Sequence, residues 1–359
     1  MAKNPHILPQ IDTTDGMQFG LYSLGDHVPN PNTGERLSAK ERLDQIVQLA
    51  TAAEQAGLDI FHVGESHQEY FVSQAHMVIL SAIAQATKNI RIGSATTIVS
   101  TSDPVRTFED AATIDLLSNG RMEIVAGRAS RLGLFELLGY NKADYGELFE
   151  ERFNLLLAIN ENETINWSGK YRAPLHEAHV IPRPDSAKQG LPIWRAVGGR
   201  ADSAIKAGDA GVPMYITTLG GKLENFTYAV SEYRKHAQAA GYDTDELPLT
   251  TAGFLYLDTH QQRAEETFFP YVDQAMKRAN GVGFSRLQYS QIKDTDSTLN
   301  IGEPQLVIDK LLAQYEAFGM QRYVAQIDFG GQSTKQIMQT LELLATKVIP
   351  TVKKYTKKK

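Results

Sequence analysis

The sequence predicts a (β/α)8 TIM barrel with insertions after strands 4 and 7. Short runs rich in β-branched residues alternate with longer helical patterns, which predicts a parallel sheet covered by helices. Eight such strand–helix units can be counted, and the 359 residues exceed the roughly 250 of a bare barrel, leaving room for insertions. An open doubly wound sheet is the alternative. It lacks support because no G-x-G-x-x-G follows a strand and no G-x-x-x-x-G-K-[ST] occurs.

The first half of the chain contains four of the predicted strands. Ser38 and Glu41 have the spacing of a capping box, and Gly57 is typical of a helix end, so the first helix is expected over 38–57. Pro104 is expected in the first turn of the third helix, where proline is tolerated. The strands are predicted at 17–24, 59–64, 90–99 and 121–127, and the second and third helices at 73–87 and 104–117.

The second half begins with an interruption of this alternation. Two helical stretches are expected within 128–163, and a hairpin-like excursion at 164–184. An irregular insertion is expected at 280–302. The remaining strands are predicted at 192–198, 212–217, 249–257 and 322–330, with helices at 200–209, 222–240, 260–279, 303–318 and 333–353.

The composition excludes several classes of function. The chain has no cysteine, which excludes disulfides, thiolate catalysis and cysteine metal sites and fits a reducing, cytoplasmic location. No apolar run of about 18 residues predicts a membrane span. The net charge of -6 argues against nucleic acid as the main partner.

The stretch "VGESHQEY", residues 63–70, places an acid, a hydroxyl and an imidazole at a strand end, where barrels carry their active sites. Ser66 and His67 are neighbours that point to opposite sides of an extended segment, and no G-x-S-x-G occurs, so a serine hydrolase is disfavoured. Glu65 and His67 share a face, but a metal site needs more converging ligands, and His176 and His179 lie in the hairpin excursion.

Two arginine-containing loops favour a phosphorylated cofactor. "AVGGRADSA", residues 196–204, passes from a strand end through Gly198 and Gly199 into a helix, whose first N–H groups suit an anion. Arg200 and Ser203 add donors, and "GRAS", residues 127–130, places Arg128 at the same end of the barrel. An ordinary turn is the alternative, and neither loop specifies the cofactor.

Several strings together resemble the bacterial luciferase-like, flavin-dependent monooxygenases. These are "AEQAGLDIFHVGESH", "IRIGSATTIVSTSDPVRTFEDAATIDLLSNGR", "IVAGRAS" and "PIWRAVGGRADSAIKAGDAGVPM". The likeness extends over nearly the whole chain from Met17, where members of the family usually begin, and is nearest to an uncharacterised FMN-dependent branch. It implies a single barrel domain over 17–353, an N-terminal extension at 1–16 and a basic tail at 354–359.

The resemblance implies a two-component monooxygenase. Reduced FMN would bind non-covalently, react with O2 to give a flavin hydroperoxide and oxygenate a small organic substrate, with a separate NAD(P)H-dependent reductase supplying the flavin. A deazaflavin-dependent hydride-transfer enzyme and a non-catalytic flavin-binding protein are the alternatives. Family members are commonly homodimers that pack helices near the second and third strands, and a homodimer is expected here. The apolar helix at 73–87 fits burial on more than one side, although a helix covered by a loop would show the same pattern.

The resemblance also implies residue roles. A non-proline cis peptide is expected between Ala95 and Thr96, beneath the flavin ring. The family often has Glu-His-His at the strand end where this chain has Glu65-Ser66-His67. Because the first histidine is replaced, no light emission is expected and His67 becomes the candidate for proton transfer, with Glu65 and Ser66 beside it. The alternative is that Glu65 and His67 only hold the edge of the cavity. The cofactor-binding set is Ala95, Thr96, Arg128, Ser130, Gly198, Gly199, Arg200, Ala201 and Ser203.

Aromatic residues near predicted strand ends or in inserted loops could line the substrate pocket or belong to the core. They are Tyr22, Phe71, Tyr140, Phe149 and Trp194. The sequence does not choose among aldehyde, sulfonate, alkane and aromatic substrates.

Overall fold

A computed structural model describes residue 4 and residues 6–128, 133–185 and 190–357. Its strands in chain order are β1 (Gln18–Ser23), β2 (Ile60–Val63), β3 (Arg91–Ile98), β4 (Met122–Gly127), β5 (Ile165–Trp167), β6 (Leu175–Ala178), β7 (Ile193–Gly198), β8 (Met214–Thr217), β9 (Leu249–Leu257), β10 (Asn300–Gly302) and β11 (Arg322–Gln326).

Eight parallel strands close into a barrel in the order β1-β2-β3-β4-β7-β8-β9-β11. The last strand returns to the first, with Arg322 beside Gln18 in the register of β11 and β1. Closure removes both sheet edges, so every strand has a partner on each side. The predicted TIM barrel is therefore confirmed.

Helices cover the outside of the barrel. They are α1 (Ala39–Gln55), α2 (His76–Ala86), α3 (Pro104–Leu117), α4 (Leu134–Leu137), α5 (Tyr145–Glu161), α6 (Ala201–Ala210), α7 (Glu224–Ala239), α8 (Gln261–Asn280), α9 (Arg286–Ser290), α10 (Pro304–Phe318), α11 (Thr334–Leu343) and α12 (Ile349–Thr356). The capping box of α1 is formed by Ser38 and Glu41, as predicted. No helix in the described ranges is long and apolar enough to cross a membrane.

Both predicted insertions are present. The one after β4 contains α4, α5 and the antiparallel hairpin of β5 and β6. The one after β9 was predicted to be irregular but contains α9 and the short strand β10, which pairs with the end of β9.

Two predicted element boundaries were wrong. The strand predicted to reach residue 330 ends at Gln326, because Gly330 and Gly331 have φ values of 72° and 83° and turn the chain. The last predicted helix is divided into α11 and α12 by a π-helical segment, Leu344–Val348, and extends to Thr356.

The barrel interior combines an apolar layer with a buried charge cluster. Glu123 and Arg322 are both fully buried, with Glu123 Oε2 3.0 Å from Arg322 Nη1. Trp194 Nε1 donates to the same oxygen at 2.8 Å, and Arg91 Nε lies 2.6 Å from Glu123 Oε1. Burial raises the pKa of Glu123, but Arg322 and Arg91 outweigh it and hold the pKa well below its usual range. The carboxylate is therefore charged inside the barrel.

Candidate active site

A cavity of about 330 Å³ lies at the carboxyl ends of the barrel strands. This is the end of a parallel barrel where strand-following loops meet, and where barrel enzymes carry their active sites. Its lining residues are Tyr22, Leu24, Glu65, Ser66, His67, Gln68, Ala95, Thr96, Ile98, Gly127, Arg128, Leu134, Tyr145, Ala196, Val197, Gly198, Arg200, Tyr215, Thr217, Leu219 and Ala252.

Glu65 and His67 form a hydrogen-bonded pair at the cavity wall. His67 Nε2 lies 2.7 Å from Glu65 Oε1, as expected for side chains two residues apart on an extended segment. The second carboxylate oxygen of Glu65 accepts a hydrogen bond of 2.7 Å from the backbone N–H of Ile98. The carboxylate therefore orients the imidazole and favours the tautomer with its proton on Nε2, which leaves the lone pair on Nδ1.

His76 supports this pair from the protein interior. Its Nδ1 lies 3.8 Å from Glu65 Oε2, and its Nε2 lies 2.8 Å from the hydroxyl of Thr97. Burial lowers the pKa of His76 more than the Glu65 charge raises it, so the neutral imidazole is favoured. His76 therefore packs behind Glu65 and does not line the cavity.

The cavity floor contains the peptide bond between Ala95 and Thr96, which is cis, as the resemblance implied. Two glycines allow the neighbouring strands to approach it. A Cβ atom at Gly64 would lie 2.4 Å from the carbonyl oxygen of Ala95, and one at Gly127 would lie 2.5 Å from the hydroxyl of Thr96. The floor is thus made of backbone and small side chains.

One end of the cavity carries cationic and N–H donors. Arg128 lies over the rings of Tyr145 and Phe149, at 5.5 and 5.4 Å from their centroids. Gly198 and Arg200 line the cavity where α6 begins, and α6 has no side-chain cap for its first N–H groups. Arg200 is exposed and pairs with Asp202 at 3.0 Å, a weak contact in water that an anion can replace.

The other members of the predicted cofactor-binding set have different positions. Gly199 and Ala201 are at the start of α6 but do not line the cavity. Ser203 is buried, and its hydroxyl accepts a hydrogen bond of 3.1 Å from Arg195 Nε, so its side chain belongs to the support of α6. Ser130 lies outside the described residues.

Of the predicted aromatic residues, Tyr22 lines the cavity and the others pack elsewhere. Phe149 and Trp194 are fully buried, Tyr140 lies against Arg152, and Phe71 packs on Tyr70. Two aromatic residues at the cavity, Tyr145 and Tyr215, were missed. Tyr215 belongs to a predicted strand end, so strand position was the signal that could have identified it.

Tyr215 connects the cavity to the barrel interior. Its hydroxyl lies 3.4 Å from Nδ1 of His62, which is fully buried. Burial lowers the pKa of His62 to about 3, so its imidazole is neutral near pH 7. His62 is therefore a packed core residue.

The residues of the cavity fit a flavin nucleotide. The donor set of Arg128, Arg200 and the first turn of α6 suits a phosphate. A Cβ atom at Gly198 would meet only the Thr217 hydroxyl, at 3.8 Å, so this glycine leaves open space beside those donors. The floor of backbone and small side chains at Ala95 and Thr96 suits a planar ring. No group of three or more histidine, aspartate or glutamate side chains in the described part of the chain is arranged to hold a metal ion.

Residues 17–322 match the family called luciferase-like monooxygenase. The chain belongs to the luciferase-like monooxygenase family. This confirms the resemblance drawn from the sequence and makes the protein an oxidoreductase of a family whose cofactors are of the flavin type.

Relatives of this luciferase-like chain differ in cofactor and substrate. It is 21% identical to the alkanal monooxygenase alpha chain of the Kryptophanaron alfredi symbiont, covering 94% of this chain and 99% of that one. It is 22% identical to the oxygenase component of the flavin-dependent trigonelline monooxygenase of Acinetobacter baylyi, over 93% of this chain and 95% of that one. It is 28% identical to the F420-dependent glucose-6-phosphate dehydrogenase of Amycolatopsis mediterranei, over 62% of this chain and 68% of that one.

Solved structures share the luciferase-like fold. Monooxygenase RslO1 from Streptomyces bottropensis superposes with a TM-score of 0.82 and 21% identity, over 93% of this chain and 99% of that one. The oxygenating constituent of 3,6-diketocamphane monooxygenase from Pseudomonas putida, in complex with FMN, superposes with a TM-score of 0.75 and 16% identity. This match covers 94% of this chain and 99% of that one.

Proposed function

We propose that the protein is the oxygenase component of a two-component monooxygenase. It would bind reduced FMN non-covalently, use O2 to oxygenate a small organic substrate and receive its flavin from a separate NAD(P)H-dependent reductase. The observation that carries the proposal is one cavity that combines donors suited to a phosphate, a floor of backbone and small side chains and an oriented Glu65–His67 pair.

The phosphate end determines how the nucleotide would be held. Arg128 and Arg200 would give charge-assisted hydrogen bonds to the phosphate, and the N–H groups at the start of α6, at the positive end of the helix dipole, would donate to its oxygens. Arg128 is already stacked on Tyr145 and Phe149, which limits its freedom before the ligand arrives. This arrangement favours a phosphorylated flavin over riboflavin.

Reduced FMN, when bound, supplies the electrons that activate O2. Glu65 holds the His67 imidazole in place, so that Nδ1 can give a proton to or take one from the reacting groups in the cavity. The walls formed by Leu24, Ile98 and Leu134 are apolar and exclude water from this region. Ser66 also lines the cavity and contributes a hydroxyl beside the pair.

A deazaflavin-dependent hydride transfer is the second candidate. It is favoured by the likeness to the F420-dependent glucose-6-phosphate dehydrogenase, although that match covers 62% of the chain while those to the two monooxygenases cover 93% and 94%. Tighter binding of reduced F420 than of reduced FMN would favour this candidate.

Replacing Arg128 or Arg200 with glutamine is expected to weaken FMN binding about tenfold each, because each change removes a charge-assisted contact to the phosphate. Riboflavin, which lacks the phosphate, should bind the variants and the parent protein equally. Fluorescence titration measures both affinities. Arg106→Gln, which alters an exposed arginine paired with Glu109 on α3, is the matched control. Equal losses for FMN and riboflavin would show that the arginines do not bind the phosphate.

We also propose that the protein is a homodimer that packs through the face of α2 and α3. Apolar side chains are exposed there: Val78 is 70% exposed, and Leu116 and Leu117 are 46% and 47% exposed. Light scattering should give a dimer mass, and Val78→Glu should shift it toward the monomer, because the charge would have to be buried. A monomer mass for the unaltered protein at micromolar concentration would contradict the proposal.

A further inference from the structure

A second pocket, of about 500 Å³ and open to solvent, lies outside the flavin cavity. It is formed where the loop between β1 and α1 meets the loop after β2 and the helix α8. The two loops are joined by a hydrogen bond of 2.8 Å from the N–H of His27 to the carbonyl oxygen of Tyr70. The pocket shares no lining residue with the flavin cavity. A ligand in this second pocket would therefore bind independently of the cofactor in the flavin cavity.

Two guanidinium groups from different elements line this pocket without a carboxylate partner. Arg36 and Arg278 have no carboxylate oxygen within 4 Å among the residues that the structure describes, and Arg278 Nη1 donates to the amide oxygen of Gln274 at 2.9 Å. Several other arginines have a carboxylate partner, such as Arg172 with Asp103 at 2.9 Å and Arg195 with Glu150 at 2.7 Å. The two arginines outweigh Glu69 in the lining, so the pocket carries a net positive charge in a protein whose net charge is -6.

Burial makes the charge of Arg278 less favourable. Burial is the largest influence on the pKa of Arg278 and lowers it, Asp26 and Tyr70 raise it, and the charge of Arg36 lowers it by a smaller amount. Both arginines nevertheless remain charged. A bound anion would compensate the burial of Arg278, which Asp26 offsets only in part.

His27 fixes the direction of Arg36. Its Nε2 lies 2.8 Å from the carbonyl oxygen of Leu37, to which it can only donate. Its Nδ1 must then accept from Arg36 Nη2, at 3.0 Å. The exposed Arg36 side chain is therefore held at the pocket by a neutral imidazole, which reduces the entropy lost on binding.

The other walls indicate the size and chemistry of the ligand. Val28, Pro29 and Tyr70 supply apolar surface beside the arginines, and the volume exceeds that of an inorganic anion. Glu69 also lines the pocket, but it is exposed, where solvent screens its repulsion. We propose that this pocket binds a small organic oxyanion, a phosphorylated or polycarboxylate metabolite, between Arg36 and Arg278.

Calorimetry with pyrophosphate and with citrate tests the proposal and distinguishes the two sources of the oxyanion. The Arg128→Gln/Arg200→Gln protein is used first, because it lacks the donors proposed for the flavin phosphate. At least one of the two probes should still bind it, and adding Arg36→Gln or Arg278→Gln should weaken that binding at least tenfold. Arg106→Gln, on α3, should not alter it.

Circular dichroism checks that each variant is folded. Arg36 is exposed, so Arg36→Gln serves if Arg278→Gln proves unstable. Binding of neither probe, or binding that the Arg36 substitution leaves unchanged, would overturn the proposal. Either result leaves the flavin titrations unaffected, so the two proposals fail separately.

Discussion

Replacing Glu123 with glutamine is expected to lower the free energy of unfolding by about 3–5 kcal/mol. The change removes the carboxylate between Arg322 and Arg91 while leaving the fully buried Arg322 charged and unpaired. An uncompensated charge inside the barrel is far more costly than a lost surface pair, and the Trp194 N–H also loses a charged acceptor.

Urea unfolding followed by circular dichroism measures this effect. The matched control is Glu109→Gln, which removes the carboxylate of an exposed pair with Arg106 on α3 and should change the free energy of unfolding by less than about 1 kcal/mol. If Glu123→Gln also lowers the free energy of unfolding by less than about 1 kcal/mol, Arg322 is not left buried and unpaired. The interior cluster would then relax or admit water when the carboxylate is removed.

Replacing His67 with glutamine is expected to lower turnover by about 10²–10⁴-fold, the usual contribution of a positioned acid or base. Glutamine keeps a hydrogen-bond donor for Glu65 but has no ring nitrogen that exchanges a proton. Affinity for FMN should be unchanged, because His67 is not one of the proposed phosphate donors. Single-turnover oxidation of a substrate that the protein accepts, together with a flavin titration, measures both quantities.

The controls for His67→Gln separate catalysis from support of the cavity edge. His179→Gln changes an exposed histidine of the β5–β6 hairpin segment and should leave turnover unchanged. Glu65→Gln should lower turnover by a smaller factor, because the imidazole remains but is less well oriented. Unchanged turnover in His67→Gln would show that Glu65 and His67 only hold the cavity edge through their hydrogen bond.

The barrel could be predicted because its signals are local. Alternating β-branched and helical patterns, the capping box of Ser38 and Glu41 and the proline at the start of α3 each depend on neighbouring residues. The errors arise where the apolar sequence pattern continues although the backbone conformation changes. Ile327 is as apolar as a strand residue, yet β11 ends at Gln326 and the chain turns at Gly330. The π-helical segment within the last predicted helix has the apolar pattern of a helix on both sides.

The candidate site was predicted in outline and not in detail. The pairing of Glu65 with His67 follows from alternation along an extended segment, and the strand ends indicated the end of the barrel where the cavity lies. Ser203 was expected at the phosphate, but its hydroxyl is bonded to Arg195, a contact that local sequence does not reveal. Tyr145 reaches the cavity from the insertion after β4, and only the packing of Arg128 on its ring places it there.

The first measurement to make on the purified protein is to bind reduced FMN without oxygen, admit O2 and follow the flavin spectrum. If the protein is a monooxygenase component, we expect tight binding and an oxygenated species that persists long enough to be distinguished from both reduced and oxidised flavin. Rapid oxidation of bound flavin without such a species, in the presence and absence of candidate substrates, would favour a flavin-binding protein without catalysis. Failure to bind reduced FMN, with binding of reduced F420, would contradict the claim and favour hydride transfer.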